Sequence, residues 1–296
     1  MESGGAAVWA PDFLMQTIRT RRAIRAWARA RRASGKSIGF VPTMGALHEG
    51  HASLIRAARR GTDAVAVSIF VNPLQFGPRR DSDRYPRSMA EDLRLCRREG
   101  ADVVFLPQTG ELYPESFQTL VKVNHLAERF EGRSRPGHFE GVATVVTKLF
   151  HLIGPDRAFF GQKDYQQVMV VKQMVHDLDL PIQIVRCPTV REVDGLALSS
   201  RNRLLSDAER KAACAVFGAL TAARALVRVG ERSATKVRQA MIRGIQRESL
   251  ARLDYAAVAD PATLAELRVV KDRAVLLLAV WIGDTRLIDN MIVTCP

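Results

Sequence analysis

Val41-Pro42-Thr43-Met44-Gly45-Ala46-Leu47-His48-Glu49-Gly50-His51 joins a short apolar run at residues 37–41 to an amphipathic helical pattern at 52–60. A strand that hands over to a helix through a glycine-containing turn is the repeating unit of parallel sheets covered by helices. Outward from this stretch the same alternation recurs. Apolar runs at 64–71, 101–106, 157–160 and 181–185 read as further strands, with helical patterns between most of them. The expected fold is therefore α/β, a Rossmann-like doubly wound parallel sheet, in which ligands sit beyond the carboxyl ends of the strands. After about residue 190 the pattern changes. Ser206 and Glu209 form a capping box ahead of an alanine-rich helix running towards Val229, and a second helix is expected over 234–250. Strand-like runs at 253–259, 274–282 and 285–293 close the chain, with Gly283 and Asp284 placed to turn between the last two. Residues 1–190 are thus expected to form the ligand-binding domain and 191–296 a smaller C-terminal α+β domain.

A chain of 296 residues with 47% hydrophobic and 25% charged residues buries a sizeable core. No apolar run approaches the roughly 20 residues that cross a bilayer, and no signal-peptide core opens the chain, so a cytoplasmic location and no membrane partner are expected. Cys96, Cys187, Cys214 and Cys295 lie far apart without a CxxC pair, which argues against a disulfide framework or structural zinc and for reduced thiols. The net charge of +13 raises the possibility of nucleic-acid binding. The densest basic stretch, residues 19–32, nevertheless interleaves its arginines with Ala23, Ile24, Trp27 and Ala28 at helical spacing, the pattern of a surface helix covering a core. No nucleic-acid partner is expected. The same stretch has the look of a mitochondrial presequence, but Glu2 and Asp12 precede it and a strand follows at once, so it reads as part of the fold. There is no internal repeat and no low-complexity linker.

Three clusters after strands carry chemistry. In the opening stretch, Gly45 and Gly50 let the backbone approach a ligand, and the following helix offers free amides to phosphate. His48 and His51 are three apart, which places both imidazoles on one side of the helix N-terminus, two donors facing one phosphate chain. In Phe159-Phe160-Gly161-Gln162-Lys163-Asp164, Gly161 permits close approach and Lys163 counters phosphate charge, while Gln167 points one turn on into the same cleft. In Leu198-Ser199-Ser200-Arg201, two hydroxyls and a guanidinium suit a triphosphate, a signal that gains weight only from its company. Two further loops look substrate-facing. Asn72 ahead of Pro73 reads equally as a turn residue, and Gln75 is the better substrate contact. Arg135 and His138 read either as a loop closing over the site or as surface polarity ahead of a helix at Ala143.

Taken together, these motifs resemble the pantothenate synthetases of the HxGH nucleotidyltransferase superfamily from about Phe13 to Val293. The stretches at 42–51, 70–76, 160–167, 188–192, 198–202 and 285–290 stand in that family's order and spacing. The resemblance implies that pantoate and ATP give pantoyl adenylate and pyrophosphate, and that β-alanine then attacks the acyl carbon to give pantothenate and AMP. It implies Mg-ATP as a substrate, a requirement for Mg2+, no tightly bound organic cofactor, a homodimer, and a C-terminal domain acting as a lid. Met44, Gly45, Ala46, Leu47, His48, Glu49, Gly50 and His51 would line the ATP site with Gly161, Gln162, Lys163 and Asp164. Val190, Leu198, Ser199, Ser200 and Arg201 would complete it, and Gln75 and Gln167 would hold pantoate, with Asn72, Arg135 and His138 beside them. Family pattern marks His51 as the general acid/base, whereas the chemistry of attack on a phosphate favours a donor that stabilises charge, in company with His48 and Lys163. Gln162 stands where the family usually has Glu, and Leu198 where Met is also common; neither change removes a phosphate donor. Asp92, in the pair Glu91-Asp92, falls where members carry a metal-contacting acid, and it reads equally as part of an acidic pair on a surface helix. The residues ahead of Phe13 extend past the shared region.

Two rivals follow from the same residues. An adenylyltransferase of the same superfamily would keep AMP on its product instead of releasing it. An RNA-binding protein exploiting the charge of +13 would bind with an affinity that falls steeply with salt.

Overall fold

The computed structural model describes residues 15–76 and 88–296, so the segment ahead of Phe13 lies outside the described residues. The first half alternates strand and helix: β1 (Gln16–Ile18), α1 (Arg21–Ala33), β2 (Ile38–Thr43), α2 (Glu49–Gly61), β3 (Ala64–Ile69), α3 (Met89–Arg98) and β4 (Val103–Phe105). Short helices α4 (Thr109–Leu112) and α5 (Phe130–Ser134) lead to α6 (His138–Ile153), β5 (Arg157–Gly161), α7 (Tyr165–Asp177) and β6 (Gln183–Cys187). The last part holds α8 (Asp207–Ala212), α9 (Cys214–Arg228), α10 (Ala234–Gln246), β7 (Ala251–Ala259), β8 (Arg273–Ile282) and β9 (Thr285–Thr294).

Six strands form one parallel sheet in the order β1-β4-β3-β2-β5-β6. From β2 the chain winds outward through β3 and β4, then returns to place β5 on the other side of β2. That reversal opens a crevice beyond the carboxyl ends of β2 and β5, where open α/β sheets bind ligands. Alternation along β2 sends Phe40 into the core under α1, α6 and α7, and Val41 into the core under α2 and α3. The central strands β2, β3 and β4 are buried on both faces, which is why they read as near-continuous apolar runs.

The closing sheet is antiparallel, β7-β8-β9, with Gly283 and Asp284 as the two-residue connection between β8 and β9. One face packs on α9 and α10 through Val258, Leu276, Leu278 and Val280. The other contributes Ala257, Val275 and Leu277 to the same core as α6 and α7, so the small sheet roofs the carboxyl end of the large one. The capping box at Ser206 and Glu209 forms as expected, but the helix it opens ends at Ala212 and a new one starts at Cys214. The helix expected over 234–250 stops at Gln246. The strand expected over 181–185 spans Gln183–Cys187, and 188–199 form a loop closed by a bridge between Arg191 and Ala197. Strand β1, only three residues long and mostly exposed, offers no apolar alternation to detect.

Candidate active site

The crevice is a cavity walled by the loops after β2, β5 and β6 and roofed by β7 to β9. Of the residues singled out in the sequence, it is lined by Met44, His48, Gly50, His51, Asn72, Gln75, Arg135, His138, Gly161, Lys163, Asp164, Gln167, Val190, Leu198, Ser199, Ser200 and Arg201. Gly45, Ala46, Leu47, Glu49 and Gln162 are not on its wall, and the reasons are local.

The loop after β2 is held from behind. Gly45 and Ala46 both take positive φ, +87° and +50°. The amides of Ala46 and Leu47 donate to Oδ2 and Oδ1 of Asp92 at 2.9 and 2.7 Å. These amides therefore face a carboxylate of α3 instead of a phosphate, and the position of Gly45 is explained by Asp92, whose Oδ2 would lie 3.0 Å from an added Cβ. Asp92 is 2% exposed, which corrects its reading as part of a surface pair. Both its oxygens are engaged by loop amides, and Oδ1 also accepts from Ser88. Among the described residues no group of three or more His, Cys, Asp or Glu side chains is arranged to hold a metal ion.

Helix α2 starts on the paired histidines themselves. The Gly50 amide donates to His48 Nδ1 at 3.1 Å, and the His48 amide donates to His51 Nδ1 at 3.3 Å, a reciprocal cap built from imidazoles. Gly50 is required by this cap, since an added Cβ would sit 2.8 Å from the His48 ring, and not by ligand approach. The ring centroids are 4.2 Å apart. Because each Nδ1 accepts, each neutral ring carries its hydrogen on Nε2, and both residues line the cavity. Burial, with Lys163 next, lowers His48 to about 4, and burial, with His48 next, lowers His51 to about 3. Both are neutral donors at pH 7. Glu49 turns away to pair with Arg56.

After β5, Gly161 has open space around it and Lys163 Nζ lies 3.4 Å from Asp164 Oδ1. Desolvation pushes the Asp164 carboxyl up, and Lys163 and Arg201 more than offset it, holding it below its usual range. The carbonyls of Gln162 and Lys163 accept from Asn290 Nδ2, each at 2.8 Å, so Gln162 serves the site through its backbone. After β6, Ser199 caps the turn Ser200–Leu204 by accepting from the Arg201 amide, and the Leu198 amide donates to the Val190 carbonyl at 3.0 Å. Among the described residues, Ser68 Oγ, Thr189 Oγ1 and Asn290 Oδ1 are buried at this wall without a partner, polar atoms that a ligand can satisfy.

At the other end, Gln75 sits on a short turn, Pro73–Gln75, capped by Asn72. Asn72 lines the cavity and also holds the turn. Its amide donates to Gln75 Oε1 and the Gly141 carbonyl, and its oxygen accepts from Tyr113 and the Leu74 amide, so its hydrogen bonds fix the turn. His138 is not on a loop but in the first turn of α6, and it is buried. Its Nδ1 lies 2.9 Å from the Gln75 carbonyl, which only accepts, so Nδ1 carries the hydrogen and Nε2 accepts from Arg135 at 3.2 Å. Burial, with Arg135 next, lowers His138 to about 4. Gln167 faces the cavity, while its neighbour Gln166 bonds the Leu126 and Arg129 carbonyls and the Glu131 amide.

Of the residues that join the roof to the floor, Arg191, Arg286, Asp289 and Asn290 were marked only as parts of family stretches, with no role, and Glu131, Asp254 and Tyr255 were not marked. Arg286 on β9 forks onto Glu131 of α5 at 2.7 and 2.8 Å and reaches Asp254 of β7, and Tyr255 donates to Glu131. Arg191 grips buried Asp289 at 2.6 and 2.9 Å. The available signal was the polar set Arg286, Asp289 and Asn290 inside an otherwise apolar strand.

Against known proteins, the family model described as Pantoate-beta-alanine ligase matches residues 16–292. The chain is 52% identical to the pantothenate synthetase of Moorella thermoacetica over 278 residues, 94% of this chain and 98% of that protein. Its fold superimposes on the crystal structure of pantothenate synthetase from Thermus thermophilus with a TM-score of 0.89 and 45% identity, covering 94% of this chain and 99% of the other. The pantoate-beta-alanine ligase of Francisella tularensis, solved with beta-gamma ATP and beta-alanine, aligns at a TM-score of 0.76 and 34% identity, over 94% and 97% of the two chains. A sheet that reverses between β2 and β5, with the paired histidines after the one and Lys163 after the other, is thus matched in sequence and in fold along nearly its whole length, and the chain belongs to the pantoate–β-alanine ligase family.

Proposed function

We propose that this chain makes pantothenate in two steps in the one cavity, through a pantoyl-adenylate intermediate. The observation that carries the reading is the pair of neutral imidazoles, His48 and His51, offering Nε2 donors beside Lys163 at the reversal of the sheet. Mg-ATP is a substrate, its metal arriving with the nucleotide. Its phosphates lie against His48, His51, Lys163, Ser199, Ser200 and Arg201, with Met44, Gly161, Asp164, Val190 and Leu198 around the nucleoside. Pantoate lies at the other end, held by Gln75 and Gln167 against the apolar side chains of α6. The relative from Francisella tularensis, solved with beta-gamma ATP and beta-alanine, supports ATP and β-alanine as ligands.

In the first step a pantoate carboxylate oxygen bonds to the α-phosphorus and the bond to the β-phosphate oxygen breaks, releasing pyrophosphate. No proton needs to move, and charge gathers on the phosphate oxygens, so donors and cations supply the stabilisation. An imidazole lowered to about 3 suits His51 to hydrogen-bond donation and unsuits it to proton transfer at neutral pH. In the second step the neutral amine of β-alanine bonds to the acyl carbon, the bond to AMP breaks, and the amine loses its proton to solvent. Arg135, hydrogen-bonded to His138, stands on the same wall and adds positive charge at the pantoate end. We assign the body of the nucleotide and pantoate site to residues 1–190 and a lid role to 191–296, which adds residues 198–201 to the nucleotide site, and we expect a cytoplasmic homodimer.

Incubation with Mg-ATP, pantoate and β-alanine tests the reading. Stoichiometric AMP, pyrophosphate and pantothenate are expected, with pantoyl adenylate retained on the protein when β-alanine is omitted. AMP that stays attached to the organic product would overturn it in favour of an adenylyltransferase.

A further inference from the structure

Asp92 lies behind the loop that carries the histidines, on a helix that contributes nothing to the cavity wall. Its two oxygens take the amides of Ala46 and Leu47, at 2.9 and 2.7 Å, and Oδ1 also accepts from Ser88 at 3.2 Å. Consecutive positive φ values at Gly45 and Ala46 turn these amides to one point, forming a concavity of the kind that binds anions. Here the anion is part of the protein. Alanine is ill suited to a left-handed backbone, so the loop keeps this shape only where the surroundings impose it. The next amide along the chain, that of His48, donates to His51 Nδ1, and His48 in turn caps α2. The direction of both imidazoles therefore descends from the placement of residues 46 and 47.

We infer that Asp92 is a positioning residue for the adenylation half of the reaction: its carboxylate fills the amide concavity and so presets the His48 and His51 donors before nucleotide arrives. This rests on the two-step reading above, in which those donors stabilise the α-phosphate transition state. Two consequences follow. The backbone of the loop is unavailable to phosphate, leaving that work to side chains. The loss on removing the carboxylate falls on bond formation at phosphorus and spares the attack of β-alanine on the acyl carbon.

The variant is Asp92→Asn, which keeps the shape but sets an NH2 group against one of the two amides, with Glu91→Gln, on the exposed side of the same helix, as control. Residue-resolved amide exchange on the ligand-free full chain is expected to show the Ala46 and Leu47 amides exchanging at least about tenfold faster in Asp92→Asn, with β2 and β3 as protected as before. Single-turnover formation of pantoyl adenylate is expected to fall by about tenfold or more, while capture of the bound adenylate by β-alanine keeps its rate. Both losses should be the same at low and at saturating Mg2+. Recovery of the adenylation rate at high Mg2+ would overturn the inference and make Asp92 a metal contact. Unchanged exchange at residues 46 and 47, or an unchanged adenylation rate, would also overturn it. Should Asp92→Asn not fold, Ser88→Ala removes one of the bonds on Oδ1, and faster exchange of the Leu47 amide is then required. Wild-type protein that forms no pantoyl adenylate would defeat the two-step reading, while the exchange measurement would still decide the role of Asp92 in the loop.

Discussion

Replacing Arg286 with Met keeps a long side chain while removing the only guanidinium that bonds both Glu131 and Asp254 among the described residues. Arg286 is 9% and Glu131 6% exposed, so the substitution strands a carboxylate that water reaches poorly. Burial works to raise the Glu131 carboxyl, and the Arg286 fork outweighs it, leaving it below its ordinary 4.5. Breaking such a pair from one side costs about 3–5 kcal/mol, most of it the unpaired charge. At about 2.1 cal/mol/K of unfolding entropy per residue, a 296-residue chain has about 0.6 kcal/mol/K, so a fall in Tm of about 5–8 °C is expected. Thermal unfolding followed by calorimetry reads it. The second arm is Arg286→Met with Glu131→Gln, which removes the stranded charge and should lie closer to wild type than Arg286→Met alone. The pH dependence has a definite sign. A carboxyl with a lowered folded pKa stabilises above its unfolded value, so the wild-type advantage should be present at pH 7 and disappear as the pH falls below about 4.5. A loss under about 1 kcal/mol at pH 7, or a double variant no better than the single, would refute the account.

Replacing His51 with Ala should lower adenylate formation by about two to four powers of ten with the fold intact, measured by single-turnover quench; an unchanged rate would remove His51 from the chemistry. Because His48, His51 and His138 stand at about 4, 3 and 4, below the ordinary 6.5, the unfolded chain binds their protons first. Stability should therefore be full above about pH 6.5 and decline towards pH 4, as urea melts at a series of pH values would show. Gly141→Ala places a Cβ 2.4 Å from the Leu74 carbonyl, backbone against backbone, so a loss of about 1–3 kcal/mol with weaker pantoate binding is expected from denaturant unfolding and calorimetric titration. Gly161→Ala meets nothing within 4 Å and has φ of −76°, so stability should stay within about 0.5 kcal/mol while titration with a non-hydrolysable ATP analogue shows weakened binding.

The parallel sheet was legible because its central strands are buried on both faces and so are written as unbroken apolar runs. Strand β1 was not, since two of its three residues are exposed and its pairing to β4 is a fact of topology. The paired histidines, Lys163 and Gln75 announced themselves through residue type at a strand end. Their supports did not. Nothing local marks Asp92 as the partner of amides 45 and 46 residues away, or Asn72 as bonded to the Gly141 carbonyl on another helix. His138 was read as a loop residue because α6 starts after a left-handed glycine without a side-chain cap, which removes the usual start signal. Long-range hydrogen bonds between polar groups leave no periodicity, and periodicity is what a single sequence offers.

Strand β9 also makes the roof mechanically answerable to the nucleotide loop. Asn290 gives both amide hydrogens to the carbonyls of 162 and 163, and Arg286, four residues earlier on the strand, is anchored in Glu131. Any swing of the small sheet away from the large one must either carry residues 162–163 along or leave their carbonyls and a buried carboxamide without partners. An opening that kept these bonds would move the backbone of Lys163 with the roof.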